Sequence, residues 1–328
     1  MNRFISLAVL TACFSDAALP AHAHAIAGAR VFPVTVTIDD PGVADEASIP
    51  TFSAQRQGAS GDLGPSWQYN LGAEFDKRIT EHFGVGVSDS YTVQSTHGDK
   101  TRTGFLNLTA LAKYQAWVNG PHEAIVSLGV IRSFGRSGTS HVGADEYGST
   151  TPTVYFGKGM GDLPVAALRP FAVTGTFGYT IADKKLKGIA SPDNGGPDNG
   201  AAGGVTAQPA MQFNNGASNR WVGGLSLQYS LPYLRSQVRD YGLPEFVNRL
   251  TPLVEVAWSS PASKPSNLGT QLVVAPGVIY SADSYQLAIE ALIPANRASG
   301  RNVGIITQFH VFFDDLFPNS LGKPLISY

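Results

Sequence analysis

Ten-residue stretches that alternate strictly between apolar and small polar side chains limit this chain more than any other feature. In "WQYNLGAEFD", Trp67, Tyr69, Leu71, Ala73 and Phe75 share one face, while Gln68, Asn70, Gly72, Glu74 and Asp76 share the other. "FGVGVSDSYTVQ", "FAVTGTFGYTI" and "WVGGLSLQYSL" repeat the pattern. A period of two is that of a strand with one apolar and one wet face. Weaker runs lie near residues 106–118, 123–134, 153–161, 250–259, 271–280, 285–293 and 303–313, and "VFPVTVTID" from Val31 is the remaining one. About twelve strands result, and no helical periodicity competes with them. The fold class is all-β, and the count suits the even-numbered closed barrels of bacterial outer membranes.

The connections supply a second reading of the same architecture, because such barrels alternate short periplasmic turns with long outer loops. With Val31–Ile38 as the first strand, residues 40–66 become an outer loop and "KRITEH" a turn. "STHGDKTR", "GRSGTSHVGADEYGST", the Gly/Asn-rich stretch after Ala182 and "SPASKPSN" then fall outside, with "NGPH", "GDLPVAA" and "SADS" as turns. "PYLRSQVRDYGLPEFVNR" is a longer turn with room for a short helix. Omitting the first strand would put the long loops on the wrong side.

Alternation alone does not say which face meets the protein interior. Aromatic residues recur eight apart on the apolar face: Trp67 and Phe75, Phe83 and Tyr91, Phe171 and Tyr179, Trp221 and Tyr229. Eight residues at ~3.3 Å span ~26 Å, or about 20 Å after a tilt of ~40°. That approaches the ~25 Å between the two aromatic girdles of a transmembrane barrel. Only 15% of the 328 residues are charged, too few to coat a large soluble β-protein, which ordinarily carries ~25%. The apolar face is therefore expected to meet outer-membrane lipid. The opposite face is expected to line a lumen with Gln68, Asn70, Glu74, Lys113, Gln115, Glu123, Gln228, Glu255, Glu290, Gln308 and His310. Arg132 falls on the lipid side and is expected near the outer interface; Asp89 has no account at this level.

The first residues, "MNRFISLAVLTACFSDAALPAHAHA", read as a signal peptide over 1–25, cut after Ala23 or Ala25. "LTAC" offers a competing lipidation site at Cys13. If the small-residue sites are used, the exported chain over 26–328 has no cysteine, and no disulfide or thiol chemistry is open to it. A formal net charge of −2 gives no footprint for nucleic acid. No later run of about 18 apolar residues exists to make a transmembrane helix.

Candidates for chemistry are sparse. Ser140 and His141 adjoin in an outer loop, His97 and Asp99 share a loop tip, and "DNGGPDNG" lacks calcium-loop spacing. The scattered histidines have no metal-site spacing, so neither cofactor nor metal is expected.

Several segments, "TIDDPGVADEASIPT", "TPTVYFGKGMGDLP", "LRPFAVTGTFGYTI", "LSLQYSLPYLRSQV", "LPEFVNRLTPLVEV" and "FFDDLFPNSLGKPL", resemble exported outer-membrane proteins of Gram-negative bacteria. They are similar in plan to the transporters grouped with aromatic catabolism, of the MetA-pathway of phenol degradation type. The resemblance covers most of the exported chain. It implies barrel architecture and outer-membrane location, not a solute or any catalytic residue. The chain departs from the usual barrel ending: Pro318 and Pro324 interrupt residues 314–328, so the internal "QFHVFF" is the expected assembly signal and the tail is expected to fold under or into the barrel.

The expected function is passive passage of a small solute through an outer-membrane channel. The alternative is a structural or partner-binding barrel plugged by its tail or by residues 40–66. A lipid-acting enzyme using Ser140 and His141 is a third.

Overall fold

The structure, a computed structural model, describes residues 25–57, 65–184, 205–206, 212–213, 218–262 and 269–326. The expected signal peptide up to residue 24, Cys13 and "DNGGPDNG" lie outside the described residues. Among the described residues no helix is long and apolar enough to cross a membrane.

Twelve of the described strands form a closed barrel. They are β1 (Glu46–Gln57), β2 (Ser66–Arg78), β3 (Phe83–Thr96), β4 (Thr109–Asn119), β5 (Ala124–Ser133) and β6 (Ser149–Gly159). The circuit continues with β7 (Phe171–Ala182), β8 (Arg220–Tyr229), β9 (Leu250–Pro261), β10 (Gln271–Ser281), β11 (Tyr285–Pro294) and β12 (Gly304–Phe312). Each pairs antiparallel with its sequence neighbour, and β12 returns to β1 with Ile305 opposite Ala54 and Phe312 opposite Glu46. Short turns such as Ile79–His82 and Ala282–Ser284 collect at one end, here called the inner end, and the longer loops at the outer end.

Burial decides the orientation that alternation left open. Leu71, Leu128 and Leu227 are 52%, 49% and 50% exposed, whereas their strand neighbours Asn70, Ser127 and Gln228 are at 1%, 0% and 2%. A soluble sandwich would show the reverse. Apolar side chains point away from the barrel and small polar ones into it.

The aromatic pairs take up two bands. Trp67 stacks beside Tyr69 at 6.1 Å, Tyr91 meets Phe105 at 5.1 Å and Tyr179 meets Trp221 at 4.6 Å, all towards the outer end. Phe75 against Phe313 at 5.7 Å and Phe171 against Tyr229 at 4.8 Å mark the inner end, where Phe83 also begins its strand.

One expected element is corrected. The strand count stands, but the first strand is Glu46–Gln57 and not Val31–Ile38, which lies inside the barrel. Pro50 explains the misreading. Around it the register shifts between Ser48 and Thr51, so Ile49 and Pro50 both face outward and the alternation breaks. The residues assigned to an outer loop therefore hold a barrel strand. The C-terminal tail is not in the lumen either: Leu325 and Ile326 donate backbone hydrogen bonds to the carbonyls of Arg78 and Ile79 at the inner rim.

The two outlying charges are now placed. Arg132 sits at the outer end of β5, paired with Asp183 at 2.5 Å and lying over Phe134. Its hydrogen bonds hold the Asp183 carboxyl below the ordinary range. Asp89 occupies the point where β3 changes partner, from Thr109–Tyr114 of β4 to the short strand Arg102–Phe105. There its carboxylate accepts from the Ser90 amide at 2.7 Å.

Replacing Leu225, at the middle of β8, by arginine is expected to cost about 2–4 kcal/mol of barrel stability in lipid vesicles, against ~0–1 for Ile181→Arg at the outer end. Denaturant titration of both variants checks this; equal costs would contradict a lipid-facing wall.

Candidate functional site

The interior of the barrel is the site, and its main occupant is the chain itself. Residues 25–45 enter from the inner end, rise to Ile38 and return to the inner rim at Asp45, where β1 starts. The entry is a small hairpin in which Ala25–Ala27 pairs with Arg30–Phe32. Gly28 makes the turn at φ +64°, and a Cβ there would stand 2.2 Å from the Gly120 carbonyl oxygen. Only glycine satisfies both conditions.

Arg30 anchors the base. Its guanidinium is fully buried, with Nε 3.1 Å from Glu123 Oε2, Nη1 donating to the Pro170 carbonyl at 3.2 Å and Nη2 to that of Arg169 at 2.5 Å. The Tyr233 ring lies beneath it at 3.6 Å, and the Tyr233 hydroxyl donates to Glu123 Oε1 at 2.6 Å. Three inner-end connections thus close on one side chain. Burial pulls the Arg30 guanidinium down, and the Glu123 charge pulls it back up. Burial, followed by the bond to Glu123, pushes the Tyr233 hydroxyl up to about 12, so that hydroxyl keeps its proton at neutral pH.

Higher up, the segment packs on an apolar patch of the inner wall. Val36 and Ile38 join Leu253, Val273, Ile279, Leu292 and Ile306 in one buried cluster. Full burial of such side chains stabilises by about 1.5–3 kcal/mol each. Gly224 makes room for the tip: a Cβ on it would fall 2.0 Å from Ile38 Cγ2. The polar groups are also matched. Val34 donates its amide to Gln286 Oε1 at 3.1 Å; the Thr37 amide and hydroxyl donate to Glu255 and Glu290, each at 2.6 Å. Thr35 donates its hydroxyl to the Ile38 carbonyl at 2.6 Å, tightening the bend.

The descending limb is held by charge. Lys113 reaches Asp39 at 2.8 Å and donates to the Asp40 carbonyl at 3.0 Å, and Ser127 donates to that of Pro41 at 2.5 Å. At the rim Asp45 accepts from Lys77 at 2.6 Å, from the Arg78 amide at 2.7 Å and from Arg78 Nε at 2.9 Å.

Above the tip a crevice remains, with about 700 Å³ of free space, open mouth included. Thr37, Ile38 and Asp39 form its floor, and its walls include Ile131, Thr153, Tyr155, Thr176, Thr180 and Val222. Hydroxyl, methyl and aromatic groups alternate there, and the only ionisable carboxylate on it belongs to the plug.

The side chains expected to line a lumen face the interior, but as parts of networks. Asn70 accepts from Gln68 at 3.1 Å and Thr92 at 2.7 Å and donates to Ser53 at 3.1 Å; Gln228 donates to Thr174 and Gln308 to Thr51, at 3.2 and 3.3 Å. His310 bridges the Ser48 hydroxyl at 2.8 Å and Glu46 at 3.1 Å. Glu74 is half-buried beside Ser48 in register, and Gln115 is half-buried at a bulge near the inner end. Lys113, Glu123, Glu255 and Glu290 hold the plug rather than line an empty passage. Arg30, Thr37, Asp39, Asp45 and Arg78 had not been singled out. Two signals point to the first three: the charges of "ARVFPVTVTIDD" in a charge-poor chain, and "QLVVAPGVIY", which is apolar on both faces because its lumen side is covered.

The remaining candidates do not converge. His141 Nε2 meets the Thr103 carbonyl at 3.1 Å and must carry the proton there, so that nitrogen is no base for Ser140. Asp99 pairs with Arg102 at 3.3 Å. Among the described residues no three potential ligands gather to hold a metal.

No family model matches the sequence, and no curated protein matches it. Solved structures do. The COG4313 outer membrane channel from Pseudomonas putida F1 aligns with a TM-score of 0.51 at 11% identity, over 87% of this chain and 100% of that one. The KdgM porin aligns at 0.45 and 9% identity over 81% and 99%, and the NanC porin at 0.44 and 10% over 80% and 98%. At such identities the likeness is one of fold: a closed, antiparallel, outer-membrane type of β-barrel.

Arg30→Ala breaks a buried ion pair, a change worth about 3–5 kcal/mol. Amides of the plug, Thr37 included, are then expected to exchange hydrogen about 10²- to 10³-fold faster, with Asn70→Ala as the control that leaves them unchanged. Gly224→Ala is expected to push the tip out of place, and Ile38→Ala in the same chain to restore it; an unchanged exchange pattern in Gly224→Ala would contradict the close packing.

Proposed function

We propose that the protein is an outer-membrane channel for passive passage of small solutes, closed at rest by residues 25–45 and open when that segment leaves the lumen. One observation carries this reading. The obstruction is a segment of the chain without covalent fixation, held by hydrogen bonds and ion pairs at its base and tip, below a hydroxyl-lined crevice open towards the outer end. Outward apolar faces support a location in lipid, and the polar inner face supports a wet interior once the plug is displaced.

Charge supports a selectivity. Without the plug, the wall would carry Glu46, Glu74, Asp76, Glu123, Glu255 and Glu290 against Lys113, Arg78 and Arg220. Such a lumen favours cations and neutral solutes over anions. The resemblance to aromatic-catabolism transporters makes small aromatic molecules the first solutes to try.

The second reading, a structural or partner-binding barrel, is favoured by the extent of plug burial, in which Val36 and Arg30 show no exposed surface. Planar-bilayer recording separates the two. The full chain is expected to conduct rarely, and a form lacking residues 26–44 steadily, with a reversal potential on the cation side. A truncated barrel that is folded yet silent, and that passes no solute in vesicle swelling, would leave the plug as a permanent core.

A further inference from the structure

Two segments outside the barrel wall expose large apolar side chains at its inner end. In the connection between β8 and β9, Tyr241 and Phe246 are 61% and 64% exposed, with Leu243 between them. In the tail after β12, Leu316, Phe317, Leu321, Leu325 and Ile326 are likewise exposed. Water would penalise so many apolar groups on so short a rim. We propose that both segments lie in the lipid leaflet at the inner end of the barrel, as an interfacial anchor that extends its aromatic belt.

Continuity with the barrel wall argues for lipid as the occupant. Phe246 stacks on Tyr280 at 5.3 Å, Tyr280 adjoins Tyr285 at 6.4 Å, and Tyr285 adjoins Phe309 at 5.8 Å. On the other flank Phe75 meets Phe313 at 5.7 Å and Phe313 meets Phe317 at 6.3 Å. These rings run from the outward faces of β10, β11, β12 and β2 onto the two segments without a polar gap. A surface continuous with the belt is wetted by the same lipid.

The polar side of the connection fits the same placement. Arg235 pairs with Asp240 and Glu245, and Arg249 with Glu245 and Asp283, binding the segment to the β10–β11 turn. Arg235, then Arg249, hold the Glu245 carboxyl below its ordinary range. Arg239 lies over the Tyr241 ring at 5.2 Å, a cation beside an exposed aromatic residue at the depth where headgroup phosphates begin. Apolar rings on one side and charged groups on the other are what an interfacial segment requires. The tail is fixed at this depth by the Ile326 amide on the Ile79 carbonyl at 2.8 Å, and by Lys77 on the carbonyls of Leu321 and Lys323, each at 2.8 Å. The inference rests on the barrel lying in lipid, and its test includes a probe for that premise.

The test uses the full chain in a Cys13→Ser background, reconstituted in phosphatidylethanolamine and phosphatidylglycerol vesicles. Single cysteines at Phe246→Cys, Leu325→Cys and Asp283→Cys carry an environment-sensitive fluorophore, and Leu227→Cys probes the wall. Asp283 is the wet reference, its side chain being 91% exposed on the neighbouring turn. The labels at 246 and 325 are expected to emit to the blue of that at 283. Their quenching by a shallow lipid-borne nitroxide should be about threefold stronger, as for groups at the headgroup boundary. Labels at 246 and 325 as open to aqueous iodide as that at 283 would overturn the anchor and leave a water-facing surface for a soluble partner. A dry label at 227 would then show that the barrel itself still sits in lipid, and a wet one that the premise falls as well. Should Phe246→Cys fail to fold, Tyr241→Cys reads the same surface.

Discussion

A sheet surrounded by hydrocarbon has to have no edge, because each unpaired backbone group there costs several kcal/mol. In this chain that requirement falls on the pairing of β12 with β1, two strands separated by nearly the whole sequence. The pairing survives a bulge and a proline in β1, with Ile49 and Pro50 turned outward where a missing N–H is tolerated. Closure also determines where the chain ends go. Because β1 starts and β12 finishes at the inner rim, the residues before Glu46 and after Phe312 both begin there, and the two solve their burial differently.

The tail stays outside the lumen and caps the rim. The preceding segment goes in. A barrel of this size has an interior too wide for its own small side chains to fill, and β9 to β12 present an apolar inner patch that would be poorly solvated if left open. Val36 and Ile38 cover it. The cost of desolvating the segment is offset in part by matched polar groups: the Val34 and Thr37 amides and the Thr37 hydroxyl on Gln286, Glu255 and Glu290, and the Asp40 and Pro41 carbonyls on Lys113 and Ser127. Small residues at Gly224 and Gly157 leave volume that the plug takes up, and Gly28 on the plug lets its turn approach Gly120. Wall and plug are complementary in shape, polarity and charge.

Much of this was legible in the sequence, and the failures have definite causes. Strands whose two faces differ, such as Trp67–Asp76 and Phe171–Ile181, declare themselves by a period of two. β1 did not, since the bulge at Pro50 places two consecutive residues on the same face. Val31–Ile38 did alternate, but for a different reason: Val34, Val36 and Ile38 pack on the wall while the hydroxyls of Thr35 and Thr37 donate to a backbone carbonyl and a carboxylate. Periodicity reports that two sides differ and not that one of them is lipid. Lumen residues could be chosen by parity, whereas their partners could not. Lys113 reads as an isolated charge in its strand, and Asp39 and Asp40, which it holds, lie some seventy residues earlier.

That same arrangement bears on how the lumen could change state. Besides the descending limb held by Lys113 and Ser127, the segment is attached around Arg30, Thr37 and Asp45, and these attachments differ in kind. Arg30 is closed in by three connections and a ring, so its release requires the inner turns to part. Thr37 rests on two carboxyl side chains contributed by β9 and β11, and neither acid forms a salt bridge among the described residues. Asp45 stays with the barrel through Arg78 and Lys77, and the strand that follows it is part of the closed ladder. On the proposed reading, residues 25–44 would move about a fixed point at Asp45, towards the inner end. Thr37, Ile38 and Asp39 floor the outer crevice, so on the proposed reading the part of the plug that a solute would touch is the tip.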